Sequence, residues 1–251
     1  MSLGDKVSVD LVIQGPVKEN SIFLSKLYEY SEKFDNVIVS HWKGDTFEIE
    51  DLPINVTFIS RDLPELELKR GVLKDSTFYW ALSSTYHGIM KSSSDFIVKM
   101  RTDEYYEKIE LLLEPLYDSF FQDEDIMVCG NIFHKPWGQY KFHIGDHLFA
   151  ARRESLLESY KFLVDLYDTG FGLQSSSWAN QEIRGNTAES ILAKSFLKSI
   201  GVEEYLWDSQ KVYENFFKVV DINSLGSYTA RWVHGHKTFT DSHNPFRIED
   251  F

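Results

Sequence analysis

Phe96-Ile97-Val98-Lys99-Met100-Arg101-Thr102-Asp103 is a short apolar run that ends in two cations, a hydroxyl and a carboxylate. Its β-branched and aromatic residues predict a buried strand of a parallel sheet. Ligands of open α/β sheets bind beyond the carboxyl ends of the strands. Lys99, Arg101 and Asp103 therefore stand where a ligand would lie. One carboxylate with cations beside it suits a divalent metal that holds a phosphate-bearing substrate. The plainer use of Asp103 is to cap the next helix.

Other segments carry chemistry of the same kind. Gln14-Gly15-Pro16 ends an earlier apolar run. A glycine there lets backbone approach a ligand, and glutamine both donates and accepts. Neither the dinucleotide fingerprint nor a P-loop spacing occurs in the chain. Ser40-His41-Trp42-Lys43-Gly44-Asp45 follows a second run. Trp42 could stack on a nucleobase and Asp45 could take its imide or a ribose hydroxyl; the alternative is a strand-edge cap and a turn. Arg61 ends a third run and reads as a diphosphate contact or as a surface salt-bridge residue.

The second half adds carboxylates and imidazoles. Asp146 lies in His143-Ile144-Gly145-Asp146-His147, where a carboxylate beside histidines suits a general base, or a turn. Phe133, Trp137, Tyr140 and Phe142 precede it and offer faces to a sugar or to a core. Glu189 completes Asn186-Thr187-Ala188-Glu189, the spacing of a capping box, and serves a site only where that helix start faces the cleft. His234-Gly235-His236, if extended, puts two imidazoles on one face, where His236 could complete a metal site.

These residues need a scaffold, and the hydrophobic pattern supplies one. Strands are predicted at 9–14, 36–42, 55–60, 96–103 and 126–132, with another at 146–151. Helices are predicted at 21–34 and 73–91. Further helices are marked by Ile109 to Phe120, Leu156 to Tyr167 and Ala188 to Ile200. Strands and helices alternate through the first half, which predicts a parallel sheet. The chain reads as one domain with two functional halves, residues 1–104 and 105–251. Gly170 to Gly185 is a candidate loop over the site.

Composition excludes several classes. The formal net charge of −13 argues against nonspecific binding to nucleic acid or anionic lipid. Cys129 is the single cysteine, so no intrachain disulfide or cysteine zinc cluster is expected, and a reducing compartment is compatible. No apolar run is long enough for a transmembrane helix, and the N-terminus lacks the apolar region of a signal peptide. The expectation is a cytoplasmic protein, peripheral to a membrane only through its acceptor.

Taken in order, Ile13-Gln14-Gly15-Pro16, Val37-Ile38-Val39-Ser40-His41-Trp42-Lys43-Gly44, Ser84-Thr85-Tyr86-His87-Gly88-Ile89 and Lys99-Met100-Arg101-Thr102-Asp103 resemble the WavE lipopolysaccharide-synthesis family. The resemblance covers roughly the first 105 residues. It implies a GT-A-like fold, a mixed and mainly parallel sheet flanked by helices, and a glycosyltransferase. A nucleotide-sugar donor and a glycan or lipopolysaccharide acceptor are the implied substrates. On that reading Gln14, Gly15, Pro16, Trp42 and Asp45 lie along the nucleotide, and Arg61, Lys99 and Arg101 are near the diphosphate. Asp103, with His236, holds Mn2+ or Mg2+. Asp146 deprotonates the acceptor if the reaction inverts, and Glu189 joins it. Residue 101 is arginine where the first carboxylate of the fuller Asp-x-Asp metal motif would stand. A sugar nucleotidyltransferase and a non-catalytic nucleotide-sugar or glycan binder are the alternatives.

Overall fold

The computed structural model describes residues 7–49, 51–63, 76–122, 124–131, 142–168, 188–203, 206–207 and 209–229. Strand β1 (Val9–Gln14) is buried along its whole length, as befits a central parallel strand; its one internal charge, Asp10, accepts from Asn36 and Ser92. A tight 3-10 turn, Ile22–Lys26, leads into helix α1 (Leu27–Lys33). The expected single helix over 21–34 is therefore two short pieces. Next come β2 (Asn36–Trp42), the half-exposed β3 (Val56–Arg61), helix α2 (Ser76–Lys91) and β4 (Phe96–Arg101).

β4 stops at Arg101, two residues earlier than the pattern suggests. No helix follows for Asp103 to cap. The chain turns into the two-residue strand β5 (Tyr105–Tyr106), then a 3-10 turn at Ile109–Leu112 and helix α3 (Leu113–Phe121). β6 (Met127–Gly130), β7 (Phe149–Arg152), α4 (Arg153–Asp168) and α5 (Ala188–Ser199) follow. Helix α6 (Gln210–Phe216), β8 (Phe217–Val220) and β9 (Tyr228–Thr229) were not expected from the pattern.

Among the described residues seven strands form one sheet in the order β3-β2-β1-β4-β7-β6-β8, and β5 pairs with β9 in a small separate ribbon. β7 runs antiparallel to both of its neighbours, and every other pairing in the large sheet is parallel. The expected class, a mixed and mainly parallel sheet flanked by helices, is what forms. Alternation along the strands divides the core. Leu11, Ile13, Val37, Val39, Val98 and Met100 face the layer holding α1 and α3. Val12, Ile38 and Ile97 face α2, α4 and α5. By the same alternation Lys99 and Arg101 share the second face with Ile97. Among the described residues no helix is long and apolar enough to cross a membrane.

Helix α2 lies close on β1 because residue 88 has no side chain. A Cβ built there would stand 2.4 Å from Val12 Cγ1, and Val12 is fully buried. Gly88→Ala should therefore lower stability by about 1–2 kcal/mol, the overpacking cost exceeding the gain in helix propensity. Val12→Ala in the same chain should recover part of that loss. Urea midpoints of the single and double variants check this, and an unchanged midpoint for Gly88→Ala would refute it.

Candidate active site

The chain winds outward from β1 to β2 and β3, then returns to place β4 on the other side of β1. The carboxyl ends of β1 and β4 thus border the point where strand order reverses, the usual ligand crevice of such sheets. Their ends are clipped together. Thr102 N–H donates to the Gln14 carbonyl at 3.0 Å and the Thr102 hydroxyl donates to the Pro16 carbonyl at 2.8 Å. Gly15 makes the turn at φ +126°, and a Cβ there would meet Thr102 Oγ1 at 2.9 Å. Only glycine fits this position, on both conformational and steric grounds. Asp45 ties the neighbouring loops: its Oδ2 accepts from the backbone N–H groups of Val17 at 2.9 Å and Trp42 at 3.1 Å.

Beyond β4 lies a cluster of charges. Arg101 forks onto Asp103, with Nε donating to Oδ1 at 2.9 Å and Nη2 to Oδ2 at 3.3 Å. Glu104 is fully buried; its Oε2 accepts from the Tyr106 hydroxyl at 3.0 Å and its Oε1 is bonded to His147 Nδ1. Arg101 Nε also lies 3.8 Å from Glu104 Oε1. Lys99, 3% exposed, donates to the backbone carbonyl of Asp146 at 2.5 Å and sits 5.3 Å from the centre of the Phe149 ring. His147 Nε2 stands 3.8 Å from Asp146 Oδ1, and His143 Nε2 stands 3.5 Å from Glu189 Oε2.

The topology explains this meeting. Lys99 is registered opposite Phe149. Because β7 is antiparallel to β4, the residues that enter β7 lie at β4's carboxyl end. Asp146 and His147 therefore arrive beside Lys99 and Arg101 from a distant part of the chain. The first turn of α5 brings Glu189 to the same loop through His143.

Burial and charge set the protonation of the cluster. Burial lowers the Lys99 ammonium, and Arg101 beside it lowers it further. Asp146 and Glu104 oppose this, and the pKa falls to about 8. Burial would lower Arg101 too, but its bonds to Asp103 and the nearby Glu104 hold it above its ordinary value. For Asp146, burial favours the neutral acid. The charges of His147, Lys99, Arg101 and His143 outweigh it and hold the carboxyl below its usual range. Asp146 is thus a carboxylate throughout the neutral range. The stability it contributes is present above its unfolded pKa and is lost as pH falls through the lower folded value.

The structure brings Lys99, Arg101, Asp103, Asp146 and Glu189 into one neighbourhood and sets Gln14, Gly15 and Pro16 beside it. Trp42 is 7% exposed, so little of its indole is open to a base. Arg61 is exposed at the end of the edge strand, three strand spacings or ~14 Å from β4. His236, the Gly170–Gly185 loop, Phe133, Trp137 and Tyr140 lie outside the described residues. Glu104, absent from the sequence reading, sits at the centre of the cluster. Its signal was its place next to Asp103 in a run of polar residues.

Among the described residues, the surroundings of Asp103 do not fit a metal. Both of its oxygens accept from Arg101, and among the described residues no group of three His, Cys, Asp or Glu side chains is set to hold a metal ion.

Compared with known protein families and with curated proteins, the chain matches none. Among solved structures it is similar to 2-C-methyl-D-erythritol 4-phosphate cytidylyltransferase from Thermus thermophilus. That match has 8% identity and a TM-score of 0.41, over 86% of this chain and 89% of that one. It is also similar to glucosyl-3-phosphoglycerate synthase from Mycobacterium tuberculosis, a structure in complex with Mn2+, uridine diphosphate and phosphoglyceric acid. Here the identity is 16% and the TM-score 0.39, over 79% and 80% of the two chains. A third is TarS of S. aureus, at 10% identity and a TM-score of 0.39. It covers 86% of this chain, which spans about a third (35%) of TarS.

Lys99 gives a pH signature. Its folded pKa of about 8 lies below the unfolded value, so between the two the unfolded chain binds more protons and stability rises with pH. Below about 8 the cost of burying the charge is fully present. The stability of the wild type relative to Lys99→Met should therefore be flat below about pH 8 and climb from there toward pH ~10, at up to ~1.4 kcal/mol per pH unit. Urea denaturation of both proteins across that range checks it; parallel curves would refute it.

Proposed function

We propose that this protein transfers a sugar from a nucleoside diphosphate sugar to a glycan acceptor, of the polysaccharide or lipopolysaccharide kind that the WavE resemblance implies. The observation that carries the reading is the convergence at the reversal point of the sheet. There the turn at Gly15 ends β1, Arg101 offers a fixed guanidinium, and β7 brings an ionised Asp146 alongside. On this reading residues 1–104 take the donor and residues 105–251 complete the acceptor side.

Gln14, Gly15 and Pro16, with the Trp42–Asp45 loop that Asp45 braces, would border the nucleotide. Arg101 would face the diphosphate. The acceptor oxygen attacks the anomeric carbon, the bond from that carbon to the diphosphate oxygen breaks, and the nucleoside diphosphate leaves with the bonding electrons. In an inverting reaction the acceptor's proton passes to Asp146. Lys99 holds the Asp146 backbone and so fixes where that carboxylate stands. Glu189 acts through His143 on the same loop. The protein would work in the cytoplasm and meet a membrane only through its acceptor.

A thermal-shift panel of nucleoside diphosphates and their sugars, followed by product analysis with glycan acceptors, tests the proposal. Specific binding raises the melting temperature by mass action. One nucleotide family should shift the transition, and its sugar should be consumed. Asp146→Asn should cut turnover by about 10²- to 10⁴-fold while the donor-induced shift persists. Full activity in Asp146→Asn would remove its base role. Consumption that requires pyrophosphate would replace transfer with nucleotidyl exchange. A panel in which nothing binds would end the reading.

A further inference from the structure

We infer that the diphosphate of the donor is held by Arg101 rather than by a divalent metal, so that nucleoside diphosphates bind this chain without Mn2+ or Mg2+. The inference rests on the reading that such a donor enters at the edge shared by β1 and β4.

The argument begins with Asp103, the strand-end carboxylate placed to ligate a metal. Arg101 lies two residues earlier on the same strand end, and its guanidinium engages both carboxylate oxygens, at 2.9 and 3.3 Å. A metal on those oxygens would have to share them with that fork and would bring a second positive charge against the guanidinium. Arg101 is not free to yield. Its side chain is 16% exposed, and Glu104 Oε1 lies 3.8 Å from Nε on its inner side. Glu104 is in turn fixed by Tyr106 and His147. The guanidinium is thus held from two directions at the place where a metal would otherwise sit.

It is also equipped for the task. A guanidinium carries five N–H donors in a planar fork that matches phosphate geometry. The two bonds to Asp103 use two of them. Arg101 is registered opposite Gln14, so it ends its strand beside the turn that Gln14, Gly15 and Pro16 make at the end of β1. The other charges are paired inward: Lys99 with the Asp146 loop, Glu104 with His147. Because Asp103 shares the charge of Arg101, recognition would come from directed, charge-assisted bonds rather than from excess positive charge.

The test is calorimetric titration of the wild type with UDP, GDP, CDP and ADP, once in excess EDTA and once with Mn2+, with bound Mn2+ followed by its electron paramagnetic resonance signal. The expected result is a diphosphate whose affinity is the same in both buffers and no Mn2+ held by the protein. Arg101→Gln should weaken that diphosphate by about ten- to a hundredfold, and Arg101→Lys by less. If Arg101→Gln does not fold, the wild-type comparison in EDTA decides alone. Binding that appears only with Mn2+, and is lost in Asp103→Asn, would overturn the inference while leaving the transferase reading in place. Absence of binding by every diphosphate in both buffers would overturn both.

Discussion

Two cations buried at the end of β4 must be neutralised inside the protein, and much of the second half of the chain is arranged to do so. A lone ammonium or guanidinium without partners would be too costly to bury. Lys99 and Arg101 are nonetheless enclosed, so carboxylates and carbonyls have to reach them. Asp103 and Glu104 come from the turn that follows the strand. The Asp146 and His147 carbonyls come from the entry to β7. Removing either cation would leave buried acceptors unmatched, which is why the cluster holds as a unit.

This requirement also bears on β7, which runs antiparallel to both of its neighbours. If β7 ran parallel to β4, the segment before it would lie at the opposite edge, far from Lys99. Reversing it brings residues 143–148 to the ligand edge, where their polar groups meet the cations. α4 and α5 then pack on the same face, with Tyr160 of α4 stacked on Phe149. The hydrophobic layer that stabilises the fold is therefore the same layer that fixes the charged loop. At the same carboxyl end, on the β1 side of β4, the bonds of Thr102 to Gln14 and Pro16 lock the two strands together.

The first half was legible because its signals are local. β1 and β2 are unbroken buried runs, and their bounds, like the start of β4, match the reading to the residue. The helical stripe of Phe78, Leu82 and Ile89 is present in α2. Where the reading failed, the deciding contacts are distant in sequence. β5 is two residues long and exists through its pairing with β9, more than a hundred residues away. β7 is Phe-Ala-Ala-Arg, too short to show a period or a direction. β8 follows α6 with no break in apolar character, so no boundary marks it. Nothing local singles out Glu104 as buried; its burial follows from His147 and Tyr106, which one sequence does not place beside it. The strand-end positions of Gln14, Gly15, Lys99 and Arg101 could be read for the same local reason that made their strands visible. Side-chain partners could not: the oxygens of Asp103 accept from Arg101, and Asp45 braces two loops.

Ionisation and basicity pull in opposite directions at Asp146. The charges around it keep it anionic, and for the same reason they make it a weaker proton acceptor than an isolated carboxylate. A base whose pKa lies well below the working pH gains little from intrinsic strength. Its value on the proposed reading must come from position, held by the Lys99 bond to its backbone and by His147 at its side chain. The acceptor's proton becomes acidic only as the bond to the anomeric carbon forms, so a weak but fixed base receives it late in the reaction. Rigid placement is then worth more than basicity, since orientation lowers the barrier without needing a strong acceptor. Lys99 and His147, which weaken Asp146 as a base, are the same groups that aim it.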